Sequence, residues 1–168
     1  MTEVVIRRLA GRAEAEACAR MMAESEPWLT LGRSRAACLA VVEDPGKEQY
    51  VALEDGAPAG LLVLDLRGPF RGYIQSVCVA GSLRGRGIGT ALVRFAEARI
   101  FRESPNVFLC VSSFNPDARR LYERLGYVLV GALDDFLVAG HAELLYRKSI
   151  APLATFAPGT AGEPEMTR

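Results

Sequence analysis

Val77-Cys78-Val79-Ala80-Gly81-Ser82-Leu83-Arg84-Gly85-Arg86-Gly87-Ile88-Gly89-Thr90 is the stretch on which the reading of this chain turns. It reads as an apolar strand, a glycine-rich basic turn and the start of a helix. The first backbone N–H groups of a helix have no partner within it, and with the helix dipole they form a site for a pyrophosphate. Glycines let the backbone approach such an anion with no Cβ in the way. Arg84 and Arg86 are expected to add mobile positive charge. A diphosphate-bearing cofactor is therefore expected at this turn.

The spacing narrows the choice. A P-loop carries a Lys-Ser or Lys-Thr pair after its last glycine; here Gly89 is followed by Thr90-Ala91, and the turn holds no lysine. A dinucleotide fingerprint needs glycines at its first, third and sixth positions. Counting from Gly85, the third position is Gly87 but the sixth is Thr90. The stretch some 20 residues on, Arg102-Glu103-Ser104-Pro105-Asn106, offers no acidic residue at a strand end. The pattern that does fit is Arg-x-x-Gly-x-Gly, as Arg84, Gly87 and Gly89.

A second motif follows. The apolar strand Val107-Phe108-Leu109-Cys110-Val111 runs into Asn115-Pro116-Asp117-Ala118-Arg119-Arg120-Leu121-Tyr122-Glu123-Arg124-Leu125-Gly126-Tyr127. Asn115 is placed to cap a helix with Pro116 at its first position, and Gly126 to end it. Ala118, Leu121, Tyr122 and Leu125 fall at i, i+3, i+4 and i+7, one apolar face. Tyr122 lies seven residues after Asn115, on the helix side that points at the strand end.

The rest of the chain sets bounds. Its 168 residues, half of them hydrophobic, suit one domain with a proper core. Twenty basic residues balance twenty acidic ones, so no overall field draws the chain to nucleic acid or to an anionic membrane. The N-terminus lacks the long apolar stretch of a signal peptide, and no run approaches the roughly 18 apolar residues of a membrane span. Cys18, Cys38, Cys78 and Cys110 show no short-range pairing, and with the single His141 they build no zinc site. Reduced, mostly buried thiols and a cytoplasmic location are expected. His141 sits in a turn between two apolar strands, where an exposed or loop-pinning role is expected.

The coarse element order is β-α-α-β-β-β-α-β-α-β-β in a single domain, 1–150, with 151–168 as a disordered tail rich in Pro, Ala, Gly and Thr. Strands are expected over 3–9, 49–54, 57–66, 72–79, 106–111, 127–138 and 143–148, with Asp55-Gly56 as a hairpin turn. Helices are expected over 10–22, 34–42, 88–101 and 116–125. In the first, Ala13, Ala17 and Met21 are expected on the buried face.

The two motifs, in this order and at this distance, resemble those of the GNAT acetyltransferases, with some similarity to their ribosomal-protein N-terminal branch. The resemblance covers residues 1 to about 148, strongly over 72–127 and weakly over the first 45. It implies a mixed α/β (α+β) GNAT fold whose mostly antiparallel sheet splays at the cofactor, and it implies acetyl-CoA as that cofactor. Val77, Cys78 and Val79 would pair with the pantetheine arm. The pyrophosphate would rest on Arg84, Gly85, Arg86, Gly87, Ile88, Gly89 and Thr90. Asn115 and Ala118 would meet the cofactor from the other side, and Tyr122 would stand near the thioester sulfur as its proton donor. Backbone N–H groups near Val79 would stabilise the oxyanion.

The resemblance further implies an N-acetyltransferase acting on a primary amine, whether a small molecule, a protein N-terminus or a lysine. A non-catalytic acyl-CoA-binding sensor is the alternative. Trp28, beside Pro27, is expected either over the acceptor or anchored in the core. Glu24, Glu26, Asp134 and Asp135 could make the acceptor cleft acidic. No metal, nucleic-acid or membrane partner is expected, and a homodimer is left open. The chain departs from part of the family at Tyr73-Ile74-Gln75-Ser76, where some members carry a glutamate on this strand. A water held by Gln75 or by backbone carbonyls is expected to take the amine's proton, with Glu26 as a distant acceptor.

Overall fold

Leu61-Leu62-Val63-Leu64 is apolar without alternation because the strand that contains it is covered on both faces. Leu61 and Val63 pack with one core cluster, Leu62 and Leu64 with the other. The computed structural model describes residues 4–159. In chain order the elements are β1 (Val4–Arg8), α1 (Gly11–Ala23), α2 (Arg35–Val42), β2 (Glu48–Glu54), β3 (Ala57–Asp65), β4 (Tyr73–Val79), α3 (Ile88–Ile100), β5 (Asn106–Ser112), α4 (Pro116–Arg124), β6 (Val128–Asp134) and β7 (Ala142–Ser149). This is the expected order. Single 3-10 turns add themselves at Gly81–Leu83 and Leu153–Thr155.

The strands form one seven-stranded sheet in the order β1-β2-β3-β4-β5-β7-β6. All neighbours are antiparallel except β4 and β5. The β2–β3 hairpin turns on Asp55 and Gly56, both at positive φ as a two-residue turn requires. α1 and α2 cover one face over Val51, Leu61, Val63 and Cys78; α3 covers the other over Ala52, Leu62 and Leu64. Ser34 caps α2 by accepting the Ala37 N–H at 3.1 Å. No helix among the described residues is long and apolar enough to cross a membrane.

Two expectations are corrected. α1 buries Ala15, Cys18, Ala19 and Met22 rather than Ala13, Ala17 and Met21. Its alanines fall on several helical stripes, and periodicity alone does not choose among them. β6 ends at Asp134 instead of running to Val138, because Asp135 turns at φ 54° and its carboxylate accepts the Gly140 N–H at 2.7 Å. The tail is placed as far as Gly159, whose N–H donates to the Arg102 carbonyl at 3.1 Å; residues 160–168 of the expected disordered segment lie outside the described residues.

Gly72 sets the point at which β4 meets β5. Its carbonyl accepts the Phe108 N–H at 3.0 Å, its φ is +91°, and a Cβ there would sit 2.5 Å from both the Asn106 carbonyl oxygen and Ile100 Cγ2. Gly72→Ala should cost about 2–5 kcal/mol, combining left-handed strain with overpacking. Chemical denaturation of the two proteins measures it; a loss below about 0.5 kcal/mol would show that the β4–β5 junction yields freely.

Candidate active site

β4 and β5 pair at only two positions, Tyr73 with Phe108 and Ile74 with Leu109, and then separate. The cause lies on the other edge of β4. Leu64 opposes Ile74 and Val63 opposes Ser76, so Gln75 is an extra residue with no opposite number on β3. A bulge of this kind bends its strand and increases the local twist. Beyond it, β4 stays with β3 and leaves β5. The Ala80 N–H donates to the Ala59 carbonyl of β3 at 2.9 Å. Strand alternation therefore directs the backbone groups of Val79 and Val77 into the cleft. Those of Cys78 go to β3, and its side chain is buried among α1 and α2 residues. Of the three strand residues expected at the cofactor, the geometry thus presents Val77 and Val79 and turns Cys78 away.

The glycine turn closes one end of the cleft. Gly87 is the N-cap of α3 in the left-handed region, φ 86°, and no side chain caps this terminus. The Gly87 carbonyl accepts the Ala91 N–H at 3.0 Å. The N–H groups of Ile88, Gly89 and Thr90 lie ahead of that bond, outside the helical ladder. A Cβ at Gly85 or Gly87 would meet nothing within 4 Å, so the turn presents bare backbone. Gly89 has no positive φ, and a Cβ there would make ordinary contacts of 3.6 Å with Leu121 and 3.7 Å with Val79. Its smallness is not needed by the fold. Arg84 Nε donates to the Val79 carbonyl at 3.3 Å. The expectation of mobile charge is corrected at Arg86, which is ion-paired at 3.0 Å to the Glu54 carboxylate.

α4 forms the opposite wall. Asn115 Oδ1 accepts the Ala118 N–H at 3.3 Å as the N-cap, which leaves the side-chain amide nitrogen for a ligand. Tyr122 is 8% exposed and packs edge-on against Tyr127, centroids 5.6 Å apart. Burial pushes its phenol well above the usual range, so it stays protonated. Tyr146 Oη donates to Glu123 at 2.8 Å and ties α4 to β7.

Between these walls opens a cavity of about 740 Å³. Gln75, Val77, Asn115, Ala118 and Tyr122 line it together with the apolar Trp28, Phe70, Phe136 and Leu137. Trp28 lines the cavity and also packs on the core cluster of α1 and α2. Of the four acidic residues expected at the acceptor, only Glu26 reaches the cavity. Its two oxygens accept from Thr30 N–H at 3.2 Å and Thr30 Oγ1 at 2.9 Å. His141 packs edge-on against Phe114 at 4.8 Å and does not line the cavity.

Sequence reasoning missed Glu143. This β7 residue opposes Ser112 of β5, is 5% exposed, lines the same cavity and accepts from Ser112 Oγ at 2.5 Å. Burial raises its carboxyl pKa. Its place at the start of an apolar strand gave no cue, because the β5–β7 register that turns it inward is a long-range property.

Comparison with known proteins agrees with this geometry. The acetyltransferase (GNAT) family model matches residues 7–127. The acetyltransferase Atu2258 of Agrobacterium fabrum is 36% identical over 61 residues, covering 36% of this chain and 44% of that protein. The chain thus spans under half the length of that curated relative in the match. A GNAT-family protein from Desulfovibrio desulfuricans superposes with a TM-score of 0.75 at 23% identity, over 89% of this chain and all of the other. An aminoglycoside 6'-N-acetyltransferase complexed with coenzyme A gives 0.71 at 17%, over 88% and 98%. The ribosomal-protein-S18-alanine N-acetyltransferase of Escherichia coli gives 0.71 at 14%, over 92% and 100%. At these identities the structures speak for the fold, and the family match carries the assignment: this chain belongs to the acetyltransferase (GNAT) family.

Proposed function

We propose that the protein transfers an acetyl group from acetyl-CoA to a primary amine by direct attack within a ternary complex. The observation that carries this reading is the split sheet: Val77 on the unpaired edge of β4, Asn115 and the protonated, buried Tyr122 line one cavity, and the chain leaves that strand into the uncapped N-terminus of α3. Acetyl-CoA would supply the activated acetyl thioester. The N–H groups of Ile88, Gly89 and Thr90, with the α3 dipole and Arg84, would receive its pyrophosphate. Val77 and Val79 would offer the free edge of β4 to the pantetheine arm, and Asn115 its side-chain amide. The Val79 backbone would stabilise developing negative charge on the carbonyl oxygen. Tyr122, whose hydroxyl proton is retained by burial, would serve the departing sulfur as acid.

The apolar side chains of Trp28, Phe70, Phe136 and Leu137 in the cavity lining favour an amine with an apolar body, either a small molecule or a peptide N-terminus. The four unpaired cysteines support a reducing, cytoplasmic setting. The homodimer is carried forward on the exposed Val128, Leu129 and Val130 of the edge strand β6.

Acetyl-CoA at 100 times its Kd should stabilise the fold by about 2.7 kcal/mol, a Tm rise of roughly 5–11 °C for a chain of this size, while acetate should give none. Gly87→Val places a β-branched residue at φ 86° beneath the anion and should abolish that rise. Differential scanning fluorimetry measures both; no rise with millimolar acetyl-CoA would refute cofactor binding.

Tyr122→Phe should keep the acetyl-CoA-induced rise and lower kcat by about 10²–10⁴-fold. A panel of phenethylamine, an alanine-initiated peptide and a lysine peptide, followed by CoA release, provides the assay. A loss under threefold would make Tyr122 a packing residue.

A further inference from the structure

We propose that Glu143 takes the proton from the acceptor amine, so that the protein admits its acceptor as an ammonium ion and neutralises it inside the cavity. This rests on the transferase reading above and adds the charge state of the acceptor and the residue that changes it. It replaces the Gln75-held water expected from the sequence.

The need for such a group is quantitative. An alkylamine with a pKa of about 10.4 is neutral in only about one molecule per 2,500 at pH 7. Only the neutral form has the lone pair that attacks a carbonyl. Three carboxylates line the cavity: Glu26, Asp65 and Glu143. Both oxygens of Glu26 are occupied by Thr30. Asp65 accepts the N–H of Arg67 at 3.1 Å, where it shapes the loop after β3. Glu143 is the buried one, and a single hydroxyl, Ser112 Oγ, donates to it. Its second oxygen meets no donor among the described residues.

A buried carboxylate with no cation is costly, and a cationic partner offsets that cost. The groups that face Glu143 do not supply that partner. They are Tyr73 of β4, Cys110 and Ser112 of β5, and its register partner Leu133 on β6. Asp134 and His141 flank it at adjoining positions. Arg33, Lys47 and Arg67 line the same cavity, yet none contributes to its titration.

A second observation points to the same ligand. Gln75 Oε1, also at this cavity, is buried with no hydrogen-bond donor. Two acceptors left without donors complement an ammonium group, which carries three donors and no acceptor. The raised pKa of Glu143 also brings its basicity nearer neutral pH, where a general base is most effective.

The protons balance. Of the three on the ammonium nitrogen, one passes to the Glu143 carboxylate and on to solvent. The neutral nitrogen then forms the C–N bond as the C–S bond breaks. One proton stays on the amide, and the last ends on the CoA sulfur, matched to the proton that Tyr122 gives up and regains.

The test is kcat/KM against pH from 6 to 10 with phenethylamine, or with the amine from the panel above that turns over fastest. For the wild type the expected profile is flat from about pH 7.5 to 9. Glu143→Gln should lose about 10²–10⁴-fold at pH 7 and then rise about tenfold per pH unit up to the pKa of the amine. The acetyl-CoA-induced Tm rise should persist in the variant, which shows that it is folded with an intact cofactor site. A wild-type profile that itself rises tenfold per pH unit, or a variant with the wild-type profile, overturns the role of Glu143. The wild-type curve decides alone if the variant fails to fold. No turnover with any amine of the panel, acetyl-CoA binding intact, overturns the transferase reading instead.

Discussion

Everything functional in this fold depends on β4 abandoning β5 after two residues of pairing. Continued pairing would seal the sheet and leave no edge for a ligand. The extra residue at Gln75 prevents it: the bulge keeps β4 in register with β3 while bending it off β5. The backbone groups of Val77 and Val79 then have no strand opposite them; Val77 lines the cavity, and the Val79 carbonyl accepts from Arg84 Nε. An unpaired buried N–H or C=O costs about 1–3 kcal/mol. The cleft therefore carries a standing demand for a partner with both donors and acceptors along its length, which is what the proposed pairing with a pantetheine arm would supply.

A split sheet needs to be held together elsewhere. Below the split, Gly72 seats β4 against β5 with no room for a side chain. Lys148 of β7 binds the buried Glu97 of α3 through both carboxylate oxygens at 2.9 Å, and Tyr146 of β7 binds Glu123 of α4. These contacts join the helix that starts at the glycine turn and the helix that carries Tyr122 to one strand, β7. The same strand carries Glu143. The proposed anion site, the proposed acid Tyr122 and the buried carboxylate thus share a frame, and a catalytic constellation needs such rigid support to keep its geometry.

Local features of the chain were legible and non-local ones were not. Asn115 and Pro116 announce a helix start, Asp55-Gly56 a two-residue hairpin, and Arg84-x-x-Gly87-x-Gly89 a glycine turn into a helix; each is specified by residues within a few positions of one another. The bulge at Gln75 is invisible in Tyr73-Ile74-Gln75-Ser76 because it exists only relative to β3. Arg86 reads as a free cation until Glu54, 32 residues earlier, is brought beside it. Glu143 reads as a strand-end charge until β5 and β6 close around β7. In α1 the local signal was ambiguous: an alanine-rich helix offers several small-residue faces, and the sheet selects the one with Cys18 and Met22.

Backbone amide hydrogen exchange, followed residue by residue with and without acetyl-CoA, tests the central claim most directly, because it reads the released strand edge itself. The account predicts slower exchange on binding at Val77 and Val79 of β4 and at Ile88, Gly89 and Thr90 of α3, with the β1–β2 edge unchanged. Binding of acetyl-CoA that leaves the Val77 and Val79 amides at their free rates would contradict it, because the cofactor would then lie outside the cleft that the bulge opens.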